Sequence, residues 1–187
     1  TNIATAECSV ITNVSLDHQA WLGNSIRKIA REKAGIIKSG CPIVTAETQP
    51  EALDEIQLKS TQTNSPLYQI SDGQFVNDND LGLKGKHQQS NGTIASKVVD
   101  LLNTRFPVSR ASTQEGLRRT TLPGRFQTLQ WRNRKIILDV AHNLAGYEAL
   151  AANCRQEFGD NKCELIFASL DDKPWKEGLK RLLPYCK

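Results

Sequence analysis

Strand and helix patterns alternate from the first residues of the chain, which leaves few folds open to it. The apolar, β-branched run Cys8–Val14 has the length of a strand, and Pro42–Ala46 has the composition of a second one. Between them, Ser25 occupies the N-cap position of an apolar helical stripe that begins at Ile26, and Gly35 stands where that helix would end. Because two strands joined through a helix favour a parallel sheet, we expect an α/β protein.

The rest of the chain continues this alternation. In chain order, the patterns predict a helix within Glu47–Lys59, short strands and turns over Gln62–Asp80, a helix from Asn91, a helix over Ser112–Arg119, a strand over Lys135–Val140, a helix over Ala145–Phe158, a strand over Leu165–Leu170 and a helix over Trp175–Leu183. Ser112 is the predicted cap of its helix, with Glu115 at the capping-box position. A Pro-Gly break predicts a boundary near Thr120, so we expect two domains, 1–120 and 121–187.

Composition narrows the class of protein. No run of apolar residues approaches the length of a membrane span, and the N-terminus lacks the basic and apolar regions of a secretion signal. We therefore expect a cytoplasmic protein with no membrane partner. The five cysteines are widely spaced and form no C-x-x-C pair, which favours reduced, structural thiols over a zinc site.

A local excess of basic residues indicates a phosphate-bearing partner. The 24 basic and 20 acidic residues nearly balance, but the range Arg105–Lys135 contains Glu115 as its single acid. The arginines of this range fall on both sides of the predicted boundary and have few aromatic neighbours. A solvated basic face is therefore favoured over nucleic-acid binding, and we expect no nucleic-acid partner.

The loops that follow predicted strands are the first candidates for a site, because open α/β sheets bind ligands at the carboxyl ends of their strands. One such loop contains Asp17 and His18, and another is Asp139–Asn143. His18 suits a metal ligand or a satisfied loop hydrogen bond, and Lys33 suits a reactive amine or a partner for the helix dipole. His142 suits a phosphate neighbour or a structural histidine at a helix start, and the residues alone leave these alternatives open.

Four motifs in a fixed order resemble those of one family of enzymes. They are I-T-N-V-S-L-D-H with R-E-K-A-G-I-I within Ile11–Ile37, K-H-Q-Q-S-N-G-T at Lys86–Thr93, L-P-G-R-F-Q at Leu122–Gln127 and L-D-V-A-H-N at Leu138–Asn143. Together they closely resemble the dihydrofolate synthase and folylpolyglutamate synthase family of the Mur ligase superfamily. An ordered set of this kind is far more specific than any one of its motifs.

The resemblance implies an α/β fold and a three-substrate reaction. The fold would be a P-loop-type Mur ligase central domain followed by a Rossmann-like C-terminal domain, each incomplete, with the active site between them. The enzyme would be an ATP-dependent amide-forming ligase, in which ATP phosphorylates a substrate carboxylate and L-glutamate attacks the acyl phosphate. The implied partners are ATP, Mg²⁺, L-glutamate and either dihydropteroate or a reduced folate, and we expect a monomer.

The resemblance also implies a role for particular residues. His18 matches a family histidine that helps to hold Mg²⁺, and Lys33 matches a lysine that is carbamylated, so that it offers oxygen atoms in place of an ammonium. Asn91, Arg125 and Asp139 match residues that contact ATP. An amide suits a base edge, a guanidinium suits phosphate and a carboxylate suits ribose hydroxyls. His142 is implied as a neighbour of the phosphates.

The sequence departs from the family pattern in three ways. It has no glycine-rich G-K-G-S turn, although such turns bind phosphate. The family segment E-x-G-x-G-G-R-L-D-A-T-N, which carries an acidic magnesium ligand, is represented only by its last two residues, Thr1-Asn2. The chain also contains no methionine. Leu144 stands where the family usually has proline. We therefore expect the chain by itself to be inactive.

Two other functions stay open at this point. One is another Mur-type amide ligase, acting on a cell-wall precursor or a poly-amino-acid, and the other is a non-catalytic nucleotide-binding module. Within the folate family, the sequence does not distinguish dihydrofolate synthesis, polyglutamylation or both.

Overall fold

The computed structural model describes residues 3–17 and 19–187, so the prediction for His18 lies outside the described residues. The strands are β1 (Ser9–Ile11), β2 (Ile43–Thr45), β3 (Leu67–Gln69), β4 (Gln127–Trp131) and β5 (Arg134–Leu138). The α-helices are α1 (Gln19–Leu22), α2 (Ile26–Ala34), α3 (Pro50–Gln62), α4 (Lys86–Leu102), α5 (Arg110–Arg119), α6 (Leu144–Phe158) and α7 (Trp175–Leu182). Short 3₁₀ turns lie at Asp72–Gln74, Asp78–Asp80 and Leu183–Tyr185.

The first three strands form a parallel sheet in the order β1-β2-β3. Helices α2 and α3 cover one face, where the buried core consists of Ile11, Val14, Ile29, Ala30, Ala34, Ile37, Ile43, Ala52 and Ile56. Helix α4 covers the other face, where Ile94 packs with Val44 and Ile70. The α/β class and the parallel sheet predicted from the sequence are confirmed.

Helix α2 begins and ends where the sequence predicts. The Ser25 side chain accepts a hydrogen bond from the Lys28 amide at 3.3 Å, which satisfies a free N–H of the first turn. The helix ends at Ala34, and the Gly35 amide donates to the Glu32 carbonyl at 3.1 Å. The helix buries Ile29 together with its alanines and leaves its basic side chains exposed.

A buried carboxylate joins α2 to α3. Glu55 on α3 is 5% exposed, and the Arg31 guanidinium donates to both of its oxygens at 2.9 and 3.1 Å. A second arginine, Arg27, lies 3.6 Å from the same carboxylate. The hydrogen bonds from Arg31 lower the pKa of Glu55, because they stabilise the ionised form against the effect of burial.

The C-terminal part consists of a hairpin and two packed helices. Strands β4 and β5 pair antiparallel around a tight turn in which Arg132 and Asn133 have φ of 46° and 50°, as in a type I′ hairpin. Helix α6 begins after Asn143, whose side-chain oxygen accepts from the Gly146 amide at 2.8 Å. Helix α7 contacts α6 at Gly178, which faces the ring of Tyr147.

Three predicted elements differ in the structure. Helix α4 begins at Lys86 and not at Asn91. The sequence pattern missed its first turn because that turn is polar and carries no apolar stripe. The predicted Ser112 cap is wrong. Helix α5 begins at Arg110, and Ser109 is its cap, accepting from the Ser112 amide at 3.1 Å.

The predicted strand over Leu165–Leu170 is also wrong. A strand needs a neighbour for its backbone N–H and C=O groups, and no other strand of the described residues pairs with this segment. An isolated parallel bridge joins Cys163 to Cys186 just before it, and Ile166 is 100% exposed. Apolar composition alone therefore suggested a strand where the chain is extended but unpaired.

None of the helices in the described ranges combines the length and apolar character that a membrane span requires. The five cysteines are free thiols and are partly buried.

Candidate functional site

A cleft of about 940 Å³ lies where β1 and β2 end, beside helices α4 and α6. Its lining includes residues from each of the motifs that the sequence singled out. These are Lys33 from the first motif, Asn91 from the second, Arg125 from the third and Asp139 from the fourth. The fold therefore brings together four predicted site residues that are far apart along the chain.

Lys33 and Asn91 face the cleft from two different helices. Lys33 is in the last turn of α2 and its side chain is exposed. Asn91 is in the second turn of α4, where its amide donates to Gln88 at 3.0 Å. Both side chains present polar atoms to the cleft, so both are available to a bound molecule.

His87 is a lining residue that the sequence analysis did not select, although it stands inside the second motif. Partial desolvation of its ring lowers the pKa of the imidazole, Asp139 opposes this effect and Arg125 reinforces it. This shift favours the neutral form of the imidazole. The signal that could have found it is its position in the turn of α4 before Asn91.

Arg125 is held in a turn that Asp139 organises. One Asp139 oxygen accepts from the Phe126 amide at 2.8 Å, and the other accepts from the Ala141 amide at 2.8 Å. Phe126 is buried with φ of 45°, so the backbone next to Arg125 is in the left-handed region. Gly124 in the same turn has φ of 71°, and an added Cβ would lie 2.6 Å from a Val140 methyl group. The arginine thus projects from a rigid turn.

Asp17 joins the loop after β1 to the C-terminal part. Its carboxylate accepts from the Asn143 amide at 2.9 Å and from the Lys173 ammonium at 3.3 Å. His142 does not line the cleft but lies at its rim, with Nε2 3.5 Å from Asp17 and Nδ1 3.0 Å from the Val140 carbonyl. The sequence analysis assigned no role to Asn143 or Lys173.

The loop after β1 is also fixed to the parallel sheet, through the segment that follows β2. Glu47, which is 2% exposed, accepts from the Val14 amide with one oxygen and from the Thr48 and Gln49 amides with the other, both at 2.8 Å. The Gln49 side chain donates to the Val14 carbonyl at 2.7 Å. These contacts hold the backbone of the loop at the carboxyl end of β1.

The polar lining of the cleft fits a metal ion only together with a bound molecule such as a nucleotide. No group of three His, Cys, Asp or Glu side chains in residues 3–17 and 19–187 is close enough to hold a metal by itself. Magnesium in proteins is commonly bound by one or two carboxylates together with substrate phosphates and water. Two carboxylates, Asp17 and Asp139, line the cleft, and both already accept hydrogen bonds, so a metal ion there would need further ligands from a bound nucleotide.

The chain is similar to ligases of folate metabolism. No family model matches it. It is 34% identical over 205 residues to the dihydrofolate synthase/folylpolyglutamate synthase of Bacillus subtilis, an alignment that covers 97% of this chain and 47% of the relative. The chain therefore spans about half the length of the curated relatives that it matches.

Solved structures show the same fold over the whole chain. An FPGS complex with AMPPCP and folate matches with a TM-score of 0.88 and 29% identity, covering 100% of this chain and 50% of the other. FolC of Escherichia coli in complex with DHPP and ADP matches with a TM-score of 0.84 and 26% identity, covering 100% of this chain and 47% of the other. The fold class implied by the sequence motifs is confirmed.

Proposed function

Since the chain belongs to the dihydrofolate synthase/folylpolyglutamate synthase family, we propose that it takes part in an ATP-dependent ligation of L-glutamate. The acceptor would be dihydropteroate, a reduced folate or both, and the bond formed would be an amide. The observation that carries this proposal is the convergence of Lys33, Asn91, Arg125 and Asp139 on one cleft. Each of the four motifs contributes one residue to this cleft, which is what a shared binding site requires.

ATP is the ligand that the cleft fits best. The planar guanidinium of Arg125 would hold phosphate oxygens in two parallel hydrogen bonds. The Asn91 amide can donate and accept at a base edge, and the Asp139 oxygens keep free lone pairs for ribose hydroxyls. His142 at the rim would act as a neighbour of the phosphates, and Mg²⁺, with His18 among its ligands, would neutralise phosphate charge during transfer.

The chemistry then needs a nucleophile and an activated acid. A carboxylate is a poor acylating group, so phosphoryl transfer from ATP would give an acyl phosphate, which the glutamate amine attacks with loss of phosphate. A carbamylated Lys33 would supply carboxylate-like oxygens at this point. Its formation joins the neutral amine to carbon dioxide and releases a proton.

Carbamylation of Lys33 has a direct test. In the presence of ¹³C-labelled bicarbonate, the full-length gene product should show a carbamate carbon resonance that is absent from Lys33→Arg. The exposed Lys28 on the same helix provides the control, because Lys28→Arg should keep the resonance. If Lys33→Arg keeps the resonance as Lys28→Arg does, Lys33 does not have this role.

Arg125 provides the sharpest test of nucleotide binding. Arg125→Ala in the full-length gene product should raise the KM for ATP at least about 10-fold, because a bidentate, charge-assisted contact with phosphate is lost. Arg134→Ala removes an exposed arginine of the β4–β5 hairpin and should leave that KM unchanged. The assay is ATP- and glutamate-dependent conversion of dihydropteroate, compared with that of a reduced folate. Equal KM values in both variants would contradict the proposal.

We expect the 187-residue chain on its own to hydrolyse no ATP and to ligate no glutamate. Its sequence contains no G-K-G-S turn to bind the phosphates. Turnover by the purified chain would overturn this expectation.

A division into residues 1–120 and 121–187 also belongs to this proposal. The lining of the cleft supports it, because Lys33 and Asn91 come from one side of the boundary and Arg125 and Asp139 from the other. We further propose that the protein is a monomer.

A non-catalytic nucleotide-binding module remains the rival function. It would bind ATP without glutamate-dependent turnover in the full-length gene product.

A further inference from the structure

We propose that Lys173 and Asn143 are positioning residues that act through Asp17 to hold the loop after β1 in place at the cleft. The proposed function gives neither residue a role, although Asn143 lines the cleft. Their effect on the metal rests on the proposed function, because His18, the proposed magnesium ligand, follows Asp17 in the sequence. The contacts themselves stand without that assumption.

Lys173 forms a partly buried ion pair with Asp17. The two side chains are 14% and 18% exposed, and the ammonium lies 3.3 Å from one carboxylate oxygen. Solvent screens such a pair far less than it screens the pairs on the surface. The neighbouring Asp172 is 3.9 Å from the same ammonium but 71% exposed, so Asp17 is the partner that holds it in the interior.

The backbone around Lys173 is also fixed. Its amide donates to the Leu170 carbonyl at 3.1 Å, and its own carbonyl accepts from the Trp175 amide at 2.8 Å. This turn leads directly into α7, which packs on α6. The position of the ammonium is therefore set by the helical part of the C-terminal half.

Asn143 uses both ends of its side chain. Its oxygen accepts from the Gly146 amide at 2.8 Å as the cap of α6, and its NH₂ group donates to Asp17 at 2.9 Å. Reversing the amide would break both bonds, so the cap determines the direction in which the donor points. The start of α6 and the start of α7 thus both hold Asp17.

The loop is consequently anchored at two points with different supports. Val14 is tied to the parallel sheet through Glu47 and Gln49, whereas Asp17 is tied to the C-terminal part. A shift of the C-terminal part would displace Asp17 while Val14 stays with the sheet.

The ion pair can be tested by zero-length cross-linking of the 187-residue chain. A water-soluble carbodiimide activates a carboxylate, which then forms an amide with a touching amine while the reagent is converted to a urea. Peptide mass spectrometry should identify an Asp17–Lys173 cross-link. The exposed pair Lys86–Asp72, with its ion contact at 2.8 Å, is the positive control. If the control cross-link forms and the Asp17–Lys173 cross-link does not, the proposal is wrong.

The positioning role is tested in the full-length gene product. Lys173→Met should raise the Mg²⁺ concentration for half-maximal rate about 10-fold or more, as is typical when a group that orients a metal ligand is lost. Lys173→Arg keeps the cation and should restore most of the wild-type value. Lys180→Met makes the same charge change on the exposed side of α7 and should have no effect.

Two outcomes separate this inference from the proposed function. A wild-type protein without ligase turnover would remove the proposed function, and the cross-link together with Mn²⁺ binding by electron paramagnetic resonance would then decide the inference. Weaker Mn²⁺ binding by Lys173→Met than by Lys180→Met supports it. Equal Mn²⁺ binding by wild type and Lys173→Met would overturn the inference, whether or not the enzyme is active.

Discussion

At the scale of single residues, carboxylates organise this chain by accepting backbone hydrogen bonds. Glu47 receives three backbone amides and Asp139 receives two, and each connects segments that are separate in sequence. A carboxylate suits this work because it accepts at both oxygens and donates at neither. The neutral amide of the same shape lacks that property.

Asp139→Asn should therefore destabilise the turn that carries Arg125. The amide offers one oxygen to two backbone donors and turns its NH₂ group toward the other, which leaves one N–H unsatisfied. We expect a loss of about 1–3 kcal/mol in the free energy of unfolding. Urea denaturation measures this loss, and hydrogen exchange should show faster exchange at the Phe126 or Ala141 amide. Unchanged exchange at both amides would contradict the role.

Glu55 should make the stability of the chain depend on pH. Because Arg31 lowers the pKa of Glu55 in the folded state, the carboxylate contributes stability that is fully present above its unfolded value of 4.5. That contribution is lost as the pH falls from this value through the lower folded pKa. Thermal unfolding of wild type should show this loss, whereas Glu55→Gln should have a lower midpoint at pH 7 and a flatter profile in the acid range. Asp54→Gln, at an exposed position beside it, should keep the wild-type slope.

Four of the residues that the motifs selected lie at one cleft. Lys33, Asn91, Arg125 and Asp139 were selected from the sequence, and all of them line the cleft. The partners of Asp17 were not selected, because Asn143 and Lys173 lie 126 and 156 residues away along the chain and no local pattern encodes such contacts. The functional roles of the selected residues remain predictions.

At the scale of elements, strong local signals and weak ones had different outcomes. The cap and apolar stripe of α2 predicted both of its ends, since these interactions are formed within the helix. Strand β4 was missed because most of its side chains are exposed and it has no buried face. The segment Leu165–Leu170 was assigned a strand from its composition, although pairing depends on neighbours that composition does not describe.

The contact between α6 and α7 requires a glycine. A Cβ added at Gly178 would lie 2.3 Å from the ring of Tyr147, which is buried and has little space to move. Gly178→Ala should destabilise the chain by about 1–3 kcal/mol through overpacking. Gly116 in α5 faces open space, so Gly116→Ala should instead stabilise by about 0.5–1 kcal/mol. Parallel denaturation curves test both changes, and a stabilising Gly178→Ala would show that the helices can separate.

At the scale of the whole molecule, the chain leaves large apolar side chains in solvent around the segment that follows Cys163. Ile166 is 100% exposed and Leu170 is 70% exposed. Together with the unpaired backbone of this segment, they form an apolar surface through which copies of the 187-residue chain can aggregate, whereas the proposed monomer is the full-length gene product. Aggregation of the 187-residue chain should therefore depend on this segment, and folding should not.

Substitution at Ile166 separates these two properties. Ile166→Asn should change the free energy of unfolding by less than about 0.5 kcal/mol, because a fully exposed side chain loses no contacts. It should also reduce light scattering at increasing protein concentration. Ile29→Ala in the core provides the contrast, with an expected loss of about 2–5 kcal/mol. A large loss of stability in Ile166→Asn would mean that this side chain is covered in solution.

The separation of 156 residues between Asp17 and Lys173 has a consequence for the order of events during synthesis. The contact between Val14 and Glu47 spans 33 residues and closes a much shorter loop, which costs about 1 kcal/mol less in chain entropy. On a ribosome, the sheet and its clamp on Val14 can form while α6 and α7 are still inside the exit tunnel. Asp17 must wait for Lys173 to emerge, so this contact at the cleft forms only after the sheet and its clamp on Val14.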